Sequence, residues 1–214
     1  MHSGRRYPYT VYLPPGHSGV SSDAAWPVIL FLHGAGELGD DGRRQIQVGL
    51  GPWLCRYPER YPAIAVLPQC PSKRRWDGDM LDVALQALDE AVHAYGGDPD
   101  RLYLTGVSMG GFGTFRLASL RPDRFAAAIP ICGGGNPTMI AAALSDVPMW
   151  VFHGAVDDIV PVERSRQMVA AIKSAGGNRL RYTELPGVAH NSWDAAYADP
   201  ELPNWLLSQR LSAR

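Results

Sequence analysis

The stretch Arg101-Leu-Tyr-Leu-Thr105-Gly106-Val107-Ser108-Met109-Gly110-Gly111-Phe112-Gly113 decides how the chain is read. Its first half is an apolar run short enough for a strand. Its second half opens a run, Met109 to Leu120, that reads as a helix ended by Arg121-Pro122. Between them lies Gly-x-Ser-x-Gly, so the serine sits on a sharp strand-to-helix turn. Such a turn strains the backbone of Ser108 and leaves no room for side chains two residues away, which is why glycines stand at 106 and 110. It lifts the hydroxyl clear of the strand and sets it at a helix N-terminus, where free amides and the helix dipole favour developing negative charge.

Working outward, the same alternation repeats. Val28–Leu32, Ile64–Leu67, Phe125–Ile131, Val147–Phe152 and Arg179–Leu185 are apolar runs closed by Pro, His-Gly or glycines. Runs that are apolar throughout suit strands covered on both faces. Met80–Tyr95, Pro161–Ala175 and Leu202–Leu211 have helical character, and Tyr9–Leu13 is a candidate edge strand. The order predicts an α/β fold: a mostly parallel central sheet with helices on both faces. Ligands then bind beyond the carboxyl ends of the strands.

Three loops at those ends carry chemistry. A serine hydroxyl needs a base, and the base needs an orienting carboxylate. After the strand ending at Phe152 comes His153-Gly-Ala-Val-Asp157-Asp158, and after the last strand Pro186-Gly-Val-Ala-His190-Asn-Ser-Trp193. The candidates are Ser108 as nucleophile, His190 as base and Asp157 as orienter, with Asp158 as its rival. The first long strand ends in His33-Gly-Ala-Gly-Glu37-Leu-Gly39, which also satisfies Gly-x-Gly-x-x-Gly. A nicotinamide-dinucleotide site fits poorly, because Asp40-Asp41-Gly42-Arg43 reads as loop and its acids repel a pyrophosphate. An oxyanion loop fits better, with donors from the backbone amides of Ala35 and Met109. Glu37 is a candidate to orient that loop. Trp76 and Trp193 are candidate pocket walls. A non-catalytic module on the same scaffold would leave all three side-chain types unexplained.

With 214 residues, one domain over 1–214 is expected, excised from a longer protein or complete. Twenty Lys and Arg balance 21 Asp and Glu, a formal charge of −1, which argues against nucleic acid or an anionic membrane as partner. A small-molecule substrate remains. Cys55, Cys70 and Cys132 are odd in number and lack CxxC spacing, so they read as buried free thiols, with no metal ligands among them. Arg5 and Arg6 precede Tyr-Pro-Tyr instead of an apolar core, so no signal peptide is read here. That predicts a cytoplasmic protein if the chain is full-length and allows a secreted one if it is a domain.

The motifs around residues 33–37, 106–110, 153–161 and 187–193 together resemble the α/β-hydrolase superfamily. The likeness is to serine carboxylesterases of the dienelactone-hydrolase, phospholipase-carboxylesterase and predicted-peptidase type. It runs from about Tyr9 to Leu207. The resemblance implies hydrolysis of carboxylic esters through an acyl-enzyme, with no metal or organic cofactor. Some dienelactone-branch relatives use cysteine as nucleophile; here serine stands in that place. The short gap from Asn136 to Asp146 holds one short helix, Pro137–Leu144, and no large lid, which favours short acyl chains or bulky esters that protrude into solvent. Feruloyl or acetylxylan esterase, thioesterase, lysophospholipase and peptidase share the machinery.

Overall fold

The computed structural model describes residues 7–19 and 25–213. Arg5 and Arg6 lie outside them. One seven-stranded sheet runs through the molecule in the order β1-β3-β2-β4-β5-β6-β7. The strands are β1 (Tyr9–Tyr12), β2 (Trp26–Leu32), β3 (Ile64–Pro68), β4 (Gly97–Val107), β5 (Ala127–Ile131), β6 (Met149–Gly154) and β7 (Leu180–Leu185). All neighbours pair in parallel except β1, which runs antiparallel to β3 at the edge.

The apolar runs of β2, β3, β5 and β6 are buried on both sides, whereas β7 at the sheet edge is only partly buried. Val28, Leu30 and Leu32 of β2 join a cluster with Ile64, Val66, Leu102 and Leu104, covered by α2 (Asp79–Tyr95), α3 (Met109–Leu120) and α5 (Glu163–Ser174). Ile29 and Phe31 point the other way, into a cluster with Ala65, Leu67 and Tyr103. That face is covered by α1 (Leu50–Arg56), α6 (Ser192–Ala198) and α7 (Leu202–Ser208). The strict alternation along β2 is the two-residue period of a strand, with apolar side chains required on both faces.

Most element ends match the sequence expectation, and α3 matches at both. The region after β5 is broken into α4 (Pro137–Ile140) and a 3₁₀ turn at Ala142–Leu144, so the single short helix expected there is two pieces. Neither forms a large lid. Cys70 and Cys132 are buried, but Cys55 is exposed. It lies on a seven-residue surface helix, α1, whose inner face is taken by Leu50, Gly51 and Leu54. Among the described residues, no helix is long and apolar enough to cross a membrane.

Candidate active site

Ser108 directly follows β4 and is the N-cap of α3, with φ +53° and ψ −114°. That conformation is strained for a side-chain-bearing residue and costs on the order of 1–3 kcal/mol. Packing enforces it. A Cβ on Gly110 would stand 1.8 Å from the carbonyl oxygen of Leu32, and one on Gly106 would stand 2.4 Å from that of Gly110. The helix can therefore start close against the sheet only if both positions are glycine. Behind the serine, its N–H donates to Ile131 O (3.0 Å) and to Cys132 Sγ (3.2 Å).

Two further loops bring their side chains to the hydroxyl. His190, just before α6, lies with Nε2 2.9 Å from Ser108 Oγ. Its Nδ1 donates to Asp157, 2.8 Å from Oδ2 and 3.0 Å from Oδ1. Asp157 also accepts the N–H groups of Ile159 and Val160, each at 2.9 Å to Oδ1. Burial pushes the Asp157 carboxyl up, but the bonds from His190, Val160 and Ile159 outweigh it and hold the group below the usual carboxylate range. Asp158 points outward and is exposed, so Asp157 is the acid brought to the histidine.

The loop after β2 stands against the same serine. Gly34 is close-packed there: a Cβ on it would lie 3.8 Å from Cβ of Ser108. Ala35 opens a 3₁₀ turn, Ala35–Glu37, and Met109 opens α3, so both amides are at element N-termini where the first donors have no partner within the element. No helix begins at Gly39; the next, α1, starts at Leu50, which removes the geometry a dinucleotide loop requires.

The sequence did not mark the residues that hold this loop. His33 is fully buried; its Nε2 accepts the Cys70 N–H (2.9 Å), so its proton is on Nδ1, which donates to Gly34 O (2.6 Å). Desolvation lowers its pKa to about 4. Gln69, also fully buried, donates to Glu37 O and accepts from Gly42 N–H. Both belong to strand ends whose side-chain direction is set by tertiary contact, and only the polarity of residues inside apolar runs could have flagged them. Glu37 is half-buried on the loop, and desolvation raises its pKa.

Trp76 differs from the expected pocket wall. It is 3% exposed, packs beneath α3, and its indole N–H donates to His33 O at 2.9 Å. It supports the loop from behind. Trp193 opens the first turn of α6, partly exposed, with its ring edge-to-face with His190 at 5.5 Å.

Among the described residues, one group offers three potential metal-ligand atoms: Cys132, Asp157 and His190, within 4.8 Å of one another. The donor set is already engaged. Asp157 is filled by N–H donors, and burial pushes the Cys132 thiol up to about 12, which keeps it protonated. Within the trio His190 bonds to Asp157, and the Cys132 sulfur accepts the Ser108 N–H.

A parallel sheet with a strained serine at a β4–α3 turn, and with acid and histidine on the following loops, defines the α/β-hydrolase class. Comparison with known proteins agrees. Residues 59–194 match the dienelactone hydrolase family, and the chain belongs to that family. It is 29% identical to esterase LipQ of Mycobacterium tuberculosis, over 72% of this chain and 52% of that protein. It is 24% identical to the probable carboxylic ester hydrolase LipM of the same organism, over 64% of this chain and 42% of that protein. The chain thus spans about half the length of these relatives. A solved thermostable esterase superposes with a TM-score of 0.83 at 36% identity, covering 97% of this chain and 60% of that one. A ferulic acid esterase, at 18% identity and a TM-score of 0.72 over 92% of both chains, shares the fold.

Proposed function

We propose that this domain hydrolyses small-molecule carboxylic esters through a Ser108–His190–Asp157 triad and an acyl-enzyme. The observation that carries the reading is the continuous line of contacts, Ser108 Oγ to His190 Nε2 at 2.9 Å and His190 Nδ1 to Asp157 Oδ2 at 2.8 Å. Ser108 Oγ attacks the ester carbonyl as its proton passes to His190 Nε2. The carbonyl oxygen, now anionic, is held by the amides of Ala35 and Met109. The tetrahedral intermediate collapses, His190 returns the proton to the leaving alcohol, and the acyl group stays on Ser108. Water then repeats the sequence in reverse roles and frees the acid. Asp157 holds His190 with its proton on Nδ1 and stabilises the imidazolium. Each oxyanion donor contributes about 2.7–4 kcal/mol to the transition state.

Short acyl chains are the preferred substrates. Support comes from the short segment between β5 and β6, which carries only α4 and one 3₁₀ turn. Trp193 is the proposed pocket wall. Residues 1–214 form one catalytic domain in this reading, supported by the single sheet that all described strands join.

The test is an assay on p-nitrophenyl esters of increasing acyl length, with Ser108→Ala alongside and an organophosphonate label mapped by mass spectrometry. Activity highest on acetate to butyrate, lost in Ser108→Ala, with the label on Ser108, is the expected result. Activity retained by Ser108→Ala, or a label elsewhere, overturns the mechanism.

A further inference from the structure

His153 is the penultimate residue of β6, four residues before Asp157, and its side chain is fully buried. Its Nε2 lies 2.8 Å from Val160 O and 3.2 Å from Asp157 Oδ2. A carbonyl and an ionised carboxylate can only accept, so Nε2 must carry a proton. On the other side of the ring, Nδ1 lies 2.7 Å from Ser165 Oγ, which in turn lies 3.0 Å from Gly133 O. Whether the single hydroxyl proton serves Nδ1 or Gly133 O, the requirement at Nε2 is the same. Asp157 Oδ2 therefore stands between two imidazoles, His190 at 2.8 Å and His153 at 3.2 Å.

We propose that His153 is a positioning residue for ester hydrolysis, acting on His190 through Asp157. The inference rests on the triad reading above. The Nε2–H fixes the carboxylate and the Val160 carbonyl of the same loop together. Ser165 ties the ring to α5 and to the β5 loop, so the acid loop is anchored to three elements. A further donor also spreads the carboxylate's negative charge and makes it a weaker base. The carboxylate then attracts the imidazolium form of His190 less strongly than a carboxylate without this donor would. The charged and titratable groups around His153 are few. Asp157 and His190 lie on one side. Glu184 stands opposite on β7, paired with Arg166 of α5, and Cys132 bonds through its amide to Phe152 O.

The experiment compares His153→Gln with His153→Asn. A glutamine amide reaches the position of Nε2 and can still donate to Val160 O and Asp157. An asparagine amide reaches only the position of Nδ1, keeps the Ser165 contact and leaves Asp157 without the donor. Both remove the same ring from the interior, so a merely structural role predicts equal effects. The expected result is that His153→Asn lowers kcat about tenfold, with KM little changed, and moves the acid limb of kcat/KM upward by about half a pH unit. His153→Gln stays within about threefold of the parent with the limb unmoved. Equal losses in the two variants, or an unmoved limb in His153→Asn, overturn the inference. Should the asparagine variant fail to fold, nitrogen-15 histidine spectra of the parent decide. A proton on His153 Nε2, with a shift that follows the titration of His190, supports the inference, and a bare Nε2 overturns it. Ser108→Ala that keeps activity would remove the triad reading and this inference with it. Ser108-dependent activity with equivalent His153 variants removes only this one.

Discussion

Ser108 and Cys132 face each other across the ends of β4 and β5, both at positive φ (+53° and +41°), with the Ser108 N–H aimed at Cys132 Sγ. The same N–H also reaches Ile131 O, so the sulfur is the replaceable partner. Cys132→Ala is expected to cost about 1 kcal/mol of stability, roughly the value of one buried heavy atom, while kcat changes less than about threefold. Denaturant unfolding beside steady-state kinetics checks this. A collapse of kcat at retained stability would make the thiol part of the reaction.

Glycine at 110 is required by a neighbour that cannot move, since the Leu32 carbonyl belongs to β2, an interior strand paired on both sides. Gly110→Ala should lose activity altogether and several kcal/mol of stability, on the order of 4 or more. Gly36→Ala is the control. It lies in the loop after β2, has no atom within 4 Å of its would-be Cβ and no positive φ, and should fold and turn over as the parent does. Thermal melts of the two variants decide the point.

The acid's identity is testable by neighbouring substitutions. Asp157→Asn keeps shape but favours the wrong imidazole tautomer, and kcat should fall by about 10⁴. Asp158→Asn changes an exposed group and should leave kcat within about twofold. The reverse ranking, read from saturation kinetics, would reassign the orienter.

His33 predicts how stability depends on pH. Its folded pKa, about 4, lies below the 6.5 of an unfolded histidine, so the unfolded chain binds the proton first. Stability is therefore full above about pH 6.5, falls as the pH drops towards 4, and gains no further penalty from this group below that. The loss is on the order of 3 kcal/mol. Asp157, whose carboxyl is held low, adds to acid sensitivity in the same direction. Urea unfolding at pH 7 and pH 4 should show a smaller difference for His33→Gln than for the parent. Equal differences would refute a buried neutral His33.

The fold was legible where the physics is local. β2 and β4 are apolar on both faces, and α3 is bounded by a serine turn and by Arg121-Pro122, so composition alone marks them. The contacts among Ser108, Asp157 and His190 followed from one rule, that loops after parallel strands share an edge. Two helices escaped. α1 carries Gly51 and Pro52 in its first turn, and α6 sits inside what reads as the His190 loop; both are held by packing of Leu50, Leu54, Ala196 and Tyr197 on the sheet. The supports of the site escaped for a related reason. His33, Gln69 and His153 end apolar runs, and each has a backbone partner, on Cys70, Glu37 and Val160, of a kind that any residue type offers. Trp76 could not be told from a pocket wall, because a tryptophan near a site looks alike on either side of the loop it touches.

The contact between Ser108 and His190 spans 82 residues of chain, and Asp157 comes from between them. The turn of the proposed nucleophile is built in the middle of the chain, but its proposed base arrives only after β7 has been laid on the sheet. An elongating or refolding chain can therefore have its turn, its glycine contacts and most of its core without any turnover. Recovered activity marks the docking of the last strand and α6, a late event with a large loop to close. Measured beside tryptophan fluorescence, it separates collapse of the interior from completion of the molecule.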